Sequence, residues 1–198
     1  MTSVGDAIGG LRERKRQETF ERIAETGLRL FVENGYEATT LEAIAAASGI
    51  SRRTFFYYFE SKEEILQHFQ GSGFHEALGP TLLAISPDQD PLDAVRDCVL
   101  GLVSRYETPQ ALTIDRLQRS CDMLRRQKLV IFDEIEAKIF AALQEVWPQP
   151  DRREALQVVA MAAVGAMRLG MDAWRRDDGK RPIAAYVREA FDRLRATI

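Results

Sequence analysis

The sequence predicts an all-α protein of about nine helices, with a small N-terminal three-helix domain followed by a larger helical domain. Apolar residues recur at spacings of three and four along most of the chain, which is the period of one helix face. Sustained alternation of apolar and polar residues, which is typical of a strand, does not occur in the sequence. Capping residues, glycines and prolines divide the chain into segments of helix length.

The first ten residues are predicted to be a flexible tail, and the first helix spans residues 11–33. Its apolar face ends before Asn34-Gly35, two residues that tolerate a left-handed backbone. Thr39-Thr40 begins the second helix, where Thr39 and Glu42 have the spacing of a capping box. We therefore expect a helix that starts at this pair and ends at the next turn.

A turn at Ser48-Gly49 ends the second helix, and Ser51 caps a third helix that runs to about Tyr58. A second capping box, Ser61 with Glu64, opens a fourth helix at Lys62. The helix-turn-helix is thus predicted over residues 39–58, within an N-terminal domain of residues 11–62.

Residues 63–198 are predicted to form the second domain. Gly71-Ser72-Gly73 kinks or ends the fourth helix, and a loop carrying Pro80, Pro87 and Pro91 follows. Caps and breakers then predict helices over about 91–106, 108–120, 122–146, 151–176 and 182–196.

Composition narrows the class of protein. The 198 residues are 45% hydrophobic, which is enough for one large or two small domains with a core. No apolar run approaches the roughly 18 residues of a membrane span, and residues 1–10 lack the features of a secretory signal. We therefore expect a cytoplasmic protein with no membrane partner. The net charge of −3 disfavours a general nucleic-acid coat protein but permits local basic contacts.

Signs of an enzyme or a metal site are weak. Cys98 and Cys121 are far apart, so we expect reduced thiols. His68 and His75 are seven positions apart, whereas a metal-binding pair on a helix needs three or four. The sequence contains no nucleophile elbow and no glycine-rich phosphate loop. We expect no catalytic residues, no metal and no cofactor.

The third helix is the most informative segment. Phe55 and Phe59 are one turn apart and fix its inward face, so Arg52, Arg53, Phe56 and Tyr57 point outward. Exposed arginines and aromatics on so short a helix indicate a partner. Arginine can bond guanine or phosphate, a tyrosine hydroxyl can reach phosphate, and an aromatic face can touch a thymine methyl group. A bundle with an aromatic core is the plainer alternative.

Residues 17–69 resemble the TetR family of bacterial regulators. The resemblance is carried by Phe31-Val32-Glu33-Asn34-Gly35-Tyr36, Thr39-Thr40, Ile44-Ala45, Ser48-Gly49-Ile50-Ser51, Phe55-Phe56-Tyr57-Tyr58-Phe59 and Ser61-Lys62-Glu63. It implies a DNA-binding transcriptional regulator whose third helix is the recognition helix. One departure is Phe56, where the family usually has tyrosine, so Tyr57 or Tyr58 is expected to supply the missing hydroxyl. The predicted DNA-contacting residues are Thr40, Ser51, Arg52, Arg53, Thr54, Phe56, Tyr57, Tyr58 and Lys62.

The resemblance also implies a homodimer formed by the last two long helices. Two-fold pairing places the recognition helices about 34–36 Å apart and predicts a palindromic operator in double-stranded DNA. The predicted interface residues are Leu156, Val159, Ala163, Val164, Met167, Ile183, Val187, Ala190, Phe191 and Leu194. The alternative is that both apolar stripes belong to the core of a single chain.

The second domain is expected to bind a small effector that releases the protein from DNA, as in a repressor. The amino-acid sequence of residues 51–56 is similar to that of family members associated with acyl-CoA-like ligands, so we expect such a ligand or another hydrophobic compound. The candidate pocket residues are Phe74, Val99, Leu102, Tyr106, Leu117, Phe132, Ile135, Ile139, Met161 and Trp174. The competing hypothesis is a helical small-molecule-binding protein or adaptor that does not bind DNA.

Overall fold

The computed structural model describes residues 4–69 and 73–197, with side chains for all of these except residues 4–11, 106 and 127. These residues form ten α-helices, one short 3-10 helix and no strand, which confirms the all-α prediction. The chain divides into two compact units, Met1–Phe69 and Gln70–Ile198. The helices are α1 (Val4–Asn34), α2 (Leu41–Ala47), α3 (Arg52–Tyr58), α4 (Lys62–Phe69), α5 (Gly73–Leu83), α6 (Pro91–Tyr106), α7 (Ala111–Ser120), α8 (Asp122–Val146), α9 (Arg153–Arg176) and α10 (Ile183–Thr197).

The first helix is longer than the sequence predicted. Residues 4–10, expected to be a tail, continue α1 toward the N-terminus, and residues 1–3 lie outside the described residues. Gly5, Gly9 and Gly10 are weak helix formers, but none of them interrupts the hydrogen-bond ladder as proline does. The predicted tail was therefore wrong for the described residues 4–10.

The core of the first unit joins α1 to the three short helices. Ile23, Phe31, Ile44, Phe55 and Ile65 are fully buried. Helix α4, which the sequence assigned to the second domain, packs on α1 and shares this core. The first unit therefore extends to Phe69 rather than ending near residue 62.

Helix α5 occupies the segment where a loop was expected. Leu78 and Leu82, one turn apart, are buried in the core of the second unit, and α5 packs against both α6 and α8. Pro80 removes one backbone hydrogen bond inside this helix. Burial of the leucine face outweighs that loss, so the loop prediction was wrong for residues 73–83.

The second unit is built around the antiparallel pair α9 and α10. At Gly170 the two backbones approach closely, because a Cβ atom there would lie only 2.6 Å from the Cα atom of Val187. Helix α8 packs on α9, and α6 contacts both α9 and α10. Glu107 ties the α6–α7 connection to α10 by accepting hydrogen bonds from the Ile183 N–H at 3.0 and 3.1 Å.

Helix α9 is unusually apolar. By length and composition alone, Pro150–Arg176 contains a stretch long and apolar enough to cross a membrane. Eight of its residues are buried, however, and six of these pack into the core of the second unit, as expected for a central helix of a globular domain. The eight buried residues are Leu156, Ala160, Ala163, Val164, Ala166, Met167, Gly170 and Trp174. The fold thus gives these apolar residues protein neighbours.

Candidate DNA-binding surface

Local hydrogen bonds cap the first turns of both α2 and α3, the two helices on either side of a tight turn. The Ala43 N–H donates to the Thr40 hydroxyl at 3.1 Å, and the Thr54 N–H donates to Ser51 Oγ at the same distance. Gly49 has a φ of +69°, a conformation that L side chains rarely adopt, and so allows the sharp reversal between the two helices. The segment is therefore a helix-turn-helix, with α3 as a separate helix.

The cap of α2 is Thr40 alone. Thr39 is buried, and its hydroxyl donates to the carbonyls of Leu30 and Gly35 at 3.1 and 2.8 Å. The predicted capping box between Thr39 and Glu42 was therefore wrong, because Thr39 faces the end of α1 instead. Thr40 stays exposed, and its hydroxyl proton is available to donate while its oxygen caps the helix.

The inward and outward faces of α3 are as the sequence predicted. Phe55 and Phe59 are buried, and Phe59 stacks on Phe20 of α1 with ring centroids 4.5 Å apart. On the other face Tyr57 is 70% exposed and Phe56 is 44% exposed. Helix α3 thus presents a surface on which the side chains of residues 52, 53, 56 and 57 are open to solvent.

The two arginines of α3 have different surroundings. Arg52 Nη1 lies 3.2 Å from Glu42 Oε1 on α2, and its guanidinium lies 5.6 Å from the centre of the Phe56 ring. Arg53 is exposed and makes no ion pair with any residue that the structure describes. Arg53 is therefore the better placed of the two to meet a new partner, while Glu42, which the sequence suggested only as a capping residue, restrains Arg52.

The remaining predicted contacts lie near the ends of α3. Ser51 Oγ and Thr54 Oγ1 are 2.8 Å apart, so both hydroxyls are engaged at the start of the helix. Thr54 and Tyr58 are half-buried, and the Tyr58 ring meets the Tyr57 ring edge-on at 5.0 Å. These three residues border the exposed surface rather than form its centre.

Lys62 points into the protein. Its ammonium donates to the carbonyls of Tyr36 and Thr39 at 2.8 and 2.9 Å and lies 4.6 Å from the centre of the Tyr36 ring. Burial alone would raise the pKa of the adjacent Glu63, but hydrogen bonds from Tyr36 and Ser61 hold it below its ordinary value. Lys62 therefore fixes the start of α4 against the α1–α2 connection.

Comparison with known proteins agrees with this geometry. The profile of the family described as "Bacterial regulatory proteins, tetR family" matches residues 23–69. The transcriptional regulator TcmR of Streptomyces glaucescens is 31% identical in an alignment 199 positions long, which covers 94% of this chain and 87% of TcmR. The chain belongs to the TetR family. It is thus a helix-turn-helix transcriptional regulator, as the resemblance implied, and its relatives are regulators rather than enzymes.

Solved structures share the fold over about nine-tenths of the chain. A complex of SmeT with triclosan has a TM-score of 0.65 at 18% identity and covers 91% of each chain. FadR of Thermus thermophilus with lauroyl-CoA has a TM-score of 0.51 at 21% identity and covers 87% of this chain and 91% of FadR. At these identities the likeness establishes the fold alone.

Most predicted pocket residues pack in the interior of the second unit. Val99, Leu102, Leu117, Phe132, Ile135, Ile139 and Trp174 are buried, and Phe74 is half-buried against the core. Met161 is 54% exposed on α9 and so cannot line an interior pocket of one chain. The side chain of Tyr106 lies outside the described residues. The pocket itself stays a prediction.

One open cleft of about 290 Å³ lies between α5 and α8. Its lining residues are His75, Glu76, Gly79, Pro80, Leu83, Lys138, Ala141, Ala142 and Glu145. None of the ten predicted pocket residues borders it. Among the described residues, no group of histidine, cysteine and carboxylate side chains has the arrangement of a metal site.

The predicted dimer residues lie on the inner faces of α9 and α10. Seven of them are buried within one chain: Leu156, Ala163, Val164, Met167, Val187, Ala190 and Phe191. Val159, Ile183 and Leu194 are half-buried against the same core. These side chains already cover one another within one chain, which agrees with the alternative that both stripes belong to the core of a single chain. The dimer interface itself stays a prediction.

Proposed function

We propose that this TetR-family chain is a repressor that binds a two-fold operator as a homodimer and is released by an apolar or amphipathic small molecule. The observation that carries the DNA-reading part is the exposed surface of α3, where Arg53 and Tyr57 lie one turn apart above the buried Phe55 and Phe59. A guanidinium there can bond guanine O6 and N7 in the major groove. Action on bacterial operators places the protein in the cytoplasm.

The roles of the other contact residues follow from their surroundings. Arg52 is held near Phe56 by Glu42, which suits a contact to the DNA backbone beside the aromatic surface. Tyr57, with its exposed ring, takes the phosphate-binding role that the phenylalanine at position 56 cannot fill. Thr40 retains a hydroxyl proton for a second phosphate contact.

Fluorescence anisotropy with a duplex selected by the wild-type chain from a random library tests the proposal. We expect Arg53→Ala to weaken binding to the selected duplex by about 1–3 kcal/mol and to relax base preference at one position of each half-site. Arg29→Ala is the matched control, because it removes an exposed arginine of α1 that pairs with Glu33. Equal effects of the two substitutions would reduce Arg53 to a general positive charge.

Dimerisation is supported by the outward face of α9. Val158 and Leu169 are each 63% exposed, and Met161 lies between them along the helix. Ala162 and Gly165, both half-buried, add small residues that allow another helix to approach closely. Such a stripe is costly in water and is covered when two copies of α9 pack across a two-fold axis.

The effector is proposed to bind the second unit. SmeT was solved with triclosan and FadR of Thermus thermophilus with lauroyl-CoA, which supports an apolar or acyl-CoA-like class here. Such a ligand releases the operator only if it binds the DNA-incompetent state more tightly. Adding triclosan or lauroyl-CoA to the preformed DNA complex tests this: release supports the class, and unchanged anisotropy at saturating concentration of both argues against it.

A further inference from the structure

A short path of ring contacts connects the last turn of α4 to the base of the recognition helix. The His68 ring meets the Phe20 ring edge-on, with centroids 4.9 Å apart. Phe20 in turn stacks on Phe59 at 4.5 Å, and Phe59 leans against Phe55 at 6.0 Å. Phe55 is the residue that anchors α3 from beneath. A single α1 ring, that of Phe20, thus lies between α4 and α3.

A polar contact holds the outer end of this path. His68 Nε2 lies 3.0 Å from Glu21 Oε2, and Gln17 donates to the other carboxylate oxygen of Glu21 at 2.6 Å. The pair joins α4 to α1 across 47 positions of sequence, and both side chains are partly exposed. Glu21 is therefore fixed on both of its oxygens, and its contact fixes the orientation of the His68 ring over Phe20.

The pair lies at the rim of the first unit rather than in its core. Stability of this unit comes mainly from fully buried residues such as Ile23, Ile44 and Ile65. Contacts at the rim add little to that stability, but this one joins α4 to α1 beside the Phe20 ring that lies under α3. A change at this rim is expected to alter how α3 is presented before it alters whether the unit folds.

We propose that His68 and Glu21 are positioning residues for DNA binding, which set the placement of α3 through Phe20 and make operator affinity depend on pH. The proposal rests on the proposed function, since its readout is operator binding. When His68 is protonated, its contact with Glu21 becomes a charge-assisted hydrogen bond, which is stronger than the neutral one. The proposal takes the observed position of α3 as the one that binds DNA, so a stronger α1–α4 contact favours that position over states in which α4 has moved away from α1.

The sign of the pH dependence follows from the charges that face His68. On α1 the charged neighbour is Glu21, and on α4 it is Glu64, one turn earlier on the same helix face. The Glu64 carboxylate accepts a hydrogen bond from the Glu60 N–H at 2.6 Å and lies at the start of that helix. Both carboxylates attract a positive charge on the ring. Histidine changes charge between about pH 5 and 8, so operator affinity is expected to rise as the pH falls through that range.

The chain offers a matched control, because it contains two histidines in all. His75 lies in the other unit, with its Nε2 atom 3.3 Å from Glu134 Oε2. We would measure the dissociation constant of the selected duplex by anisotropy from pH 5.5 to 8.0 for the wild type, His68→Gln and His75→Gln. For the wild type and His75→Gln we expect binding about three-fold tighter at pH 6 than at pH 8, and for His68→Gln a flat profile.

A second variant keeps the test independent of any damage caused by removing the ring. Glu21→Gln keeps a hydrogen-bonding group but removes the charge, so it too should flatten the profile while circular dichroism shows a folded protein. A wild-type-like profile in either His68→Gln or Glu21→Gln would overturn the proposal. So would a wild type that binds the duplex tightly with no pH dependence. A wild type that selects no duplex at all would instead overturn the proposed function, and this inference with it.

Discussion

Three cations near the helix-turn-helix have three different surroundings. Lys62 is bonded to backbone carbonyls, Arg52 is paired with Glu42, and Arg53 makes no ion pair with a described residue. The sequence treated all three as DNA contacts, because a charge pattern shows only which residues carry charge. Whether a cation already has a partner depends on carbonyl and carboxylate groups of other helices and loops, which the fold places beside it.

The surroundings of Lys62 lead to a prediction at the scale of one residue. Lys62→Met keeps an unbranched apolar stem but leaves the carbonyls of Tyr36 and Thr39 without their donor. We expect the free energy of unfolding to fall by about 1–3 kcal/mol in urea titrations followed by circular dichroism. The slope of log Kd for DNA against the logarithm of the salt concentration should stay unchanged, because the ammonium donates mainly to carbonyls of the protein itself.

Lys15→Met is the control for that measurement, because Lys15 is exposed on α1 and its loss should leave stability within about 0.5 kcal/mol of the wild type. If Lys62→Met instead lowers the salt slope by about one and leaves stability intact, Lys62 is a phosphate contact as the sequence first indicated.

Sequence reasoning succeeded at residues whose role is local and failed where a distant atom decides. The faces of α3 follow from Phe55 and Phe59 alone, and these were predicted. Thr39 and Thr40 both lie beside the start of α2, and both are threonines, a residue type that commonly caps helices. Their local sequence does not tell which of them is the cap. The carbonyl of Leu30 on α1 decides which threonine is the cap, because it accepts a hydrogen bond from the Thr39 hydroxyl once the chain has turned back.

At the scale of elements, helix α5 shows how packing can override a local signal. The glycines at 71 and 73 and the proline at 80 predict a loop, and each favours one by its own backbone preference. The burial of Leu78 and Leu82 between α6 and α8 reverses that preference. This partner surface exists only in the folded second unit, so the sequence pattern could not reveal it.

Helix α7 is joined to its neighbours by a buried ionic network that the sequence did not suggest. Asp115 is only 4% exposed and accepts from Arg175 of α9 at 2.8 Å and from Lys128 of α8 at 2.5 Å. Burial alone would raise the pKa of Asp115, but these two cations outweigh it and hold that pKa below its ordinary value. Burial lowers the pKa of Lys128, aided by Arg175 and opposed by Asp115.

Removing the central carboxylate should loosen α7 from α8 and α9. We expect Asp115→Asn to lower the free energy of unfolding by about 3–5 kcal/mol at pH 7, because the partly buried cations Lys128 and Arg175 lose the carboxylate that they share. The stabilisation is present above the ordinary pKa of aspartate and is lost as the pH falls through the depressed value, so the gap between wild type and variant should close in acid.

Asp122→Asn is the matched control, since Asp122 pairs with Arg125 on the exposed surface of α8. Its cost should stay below about 1 kcal/mol. Urea unfolding of both variants at neutral and acid pH measures the difference, and equal costs would show that burial of Asp115 adds nothing to the pair.

At the scale of the whole molecule, reading a two-fold operator requires two chains. The sequence pointed to α9 and α10 for this purpose, and the residues that it named on α9 lie on the inner face of that helix. The helix carries apolar residues on both sides, with Leu156, Ala160 and Met167 facing the core and Val158 and Leu169 facing outward. Periodicity identifies apolar positions without telling which of two apolar faces is covered by the same chain, so only the packing of α9 on α8 and α10 could separate them.

Substitution on the outward face tests this assignment. Leu169→Glu places a charge on the apolar stripe that two copies of α9 would cover, so we expect the variant to sediment as a monomer at micromolar concentration while the wild type sediments as a dimer. Leu83→Glu, on an exposed leucine of α5, is the control and should leave the dimer intact. Operator affinity should fall with dimer loss, because each monomer then binds one half-site alone. Dissociation by Leu83→Glu but not by Leu169→Glu would move the interface from α9 to α5.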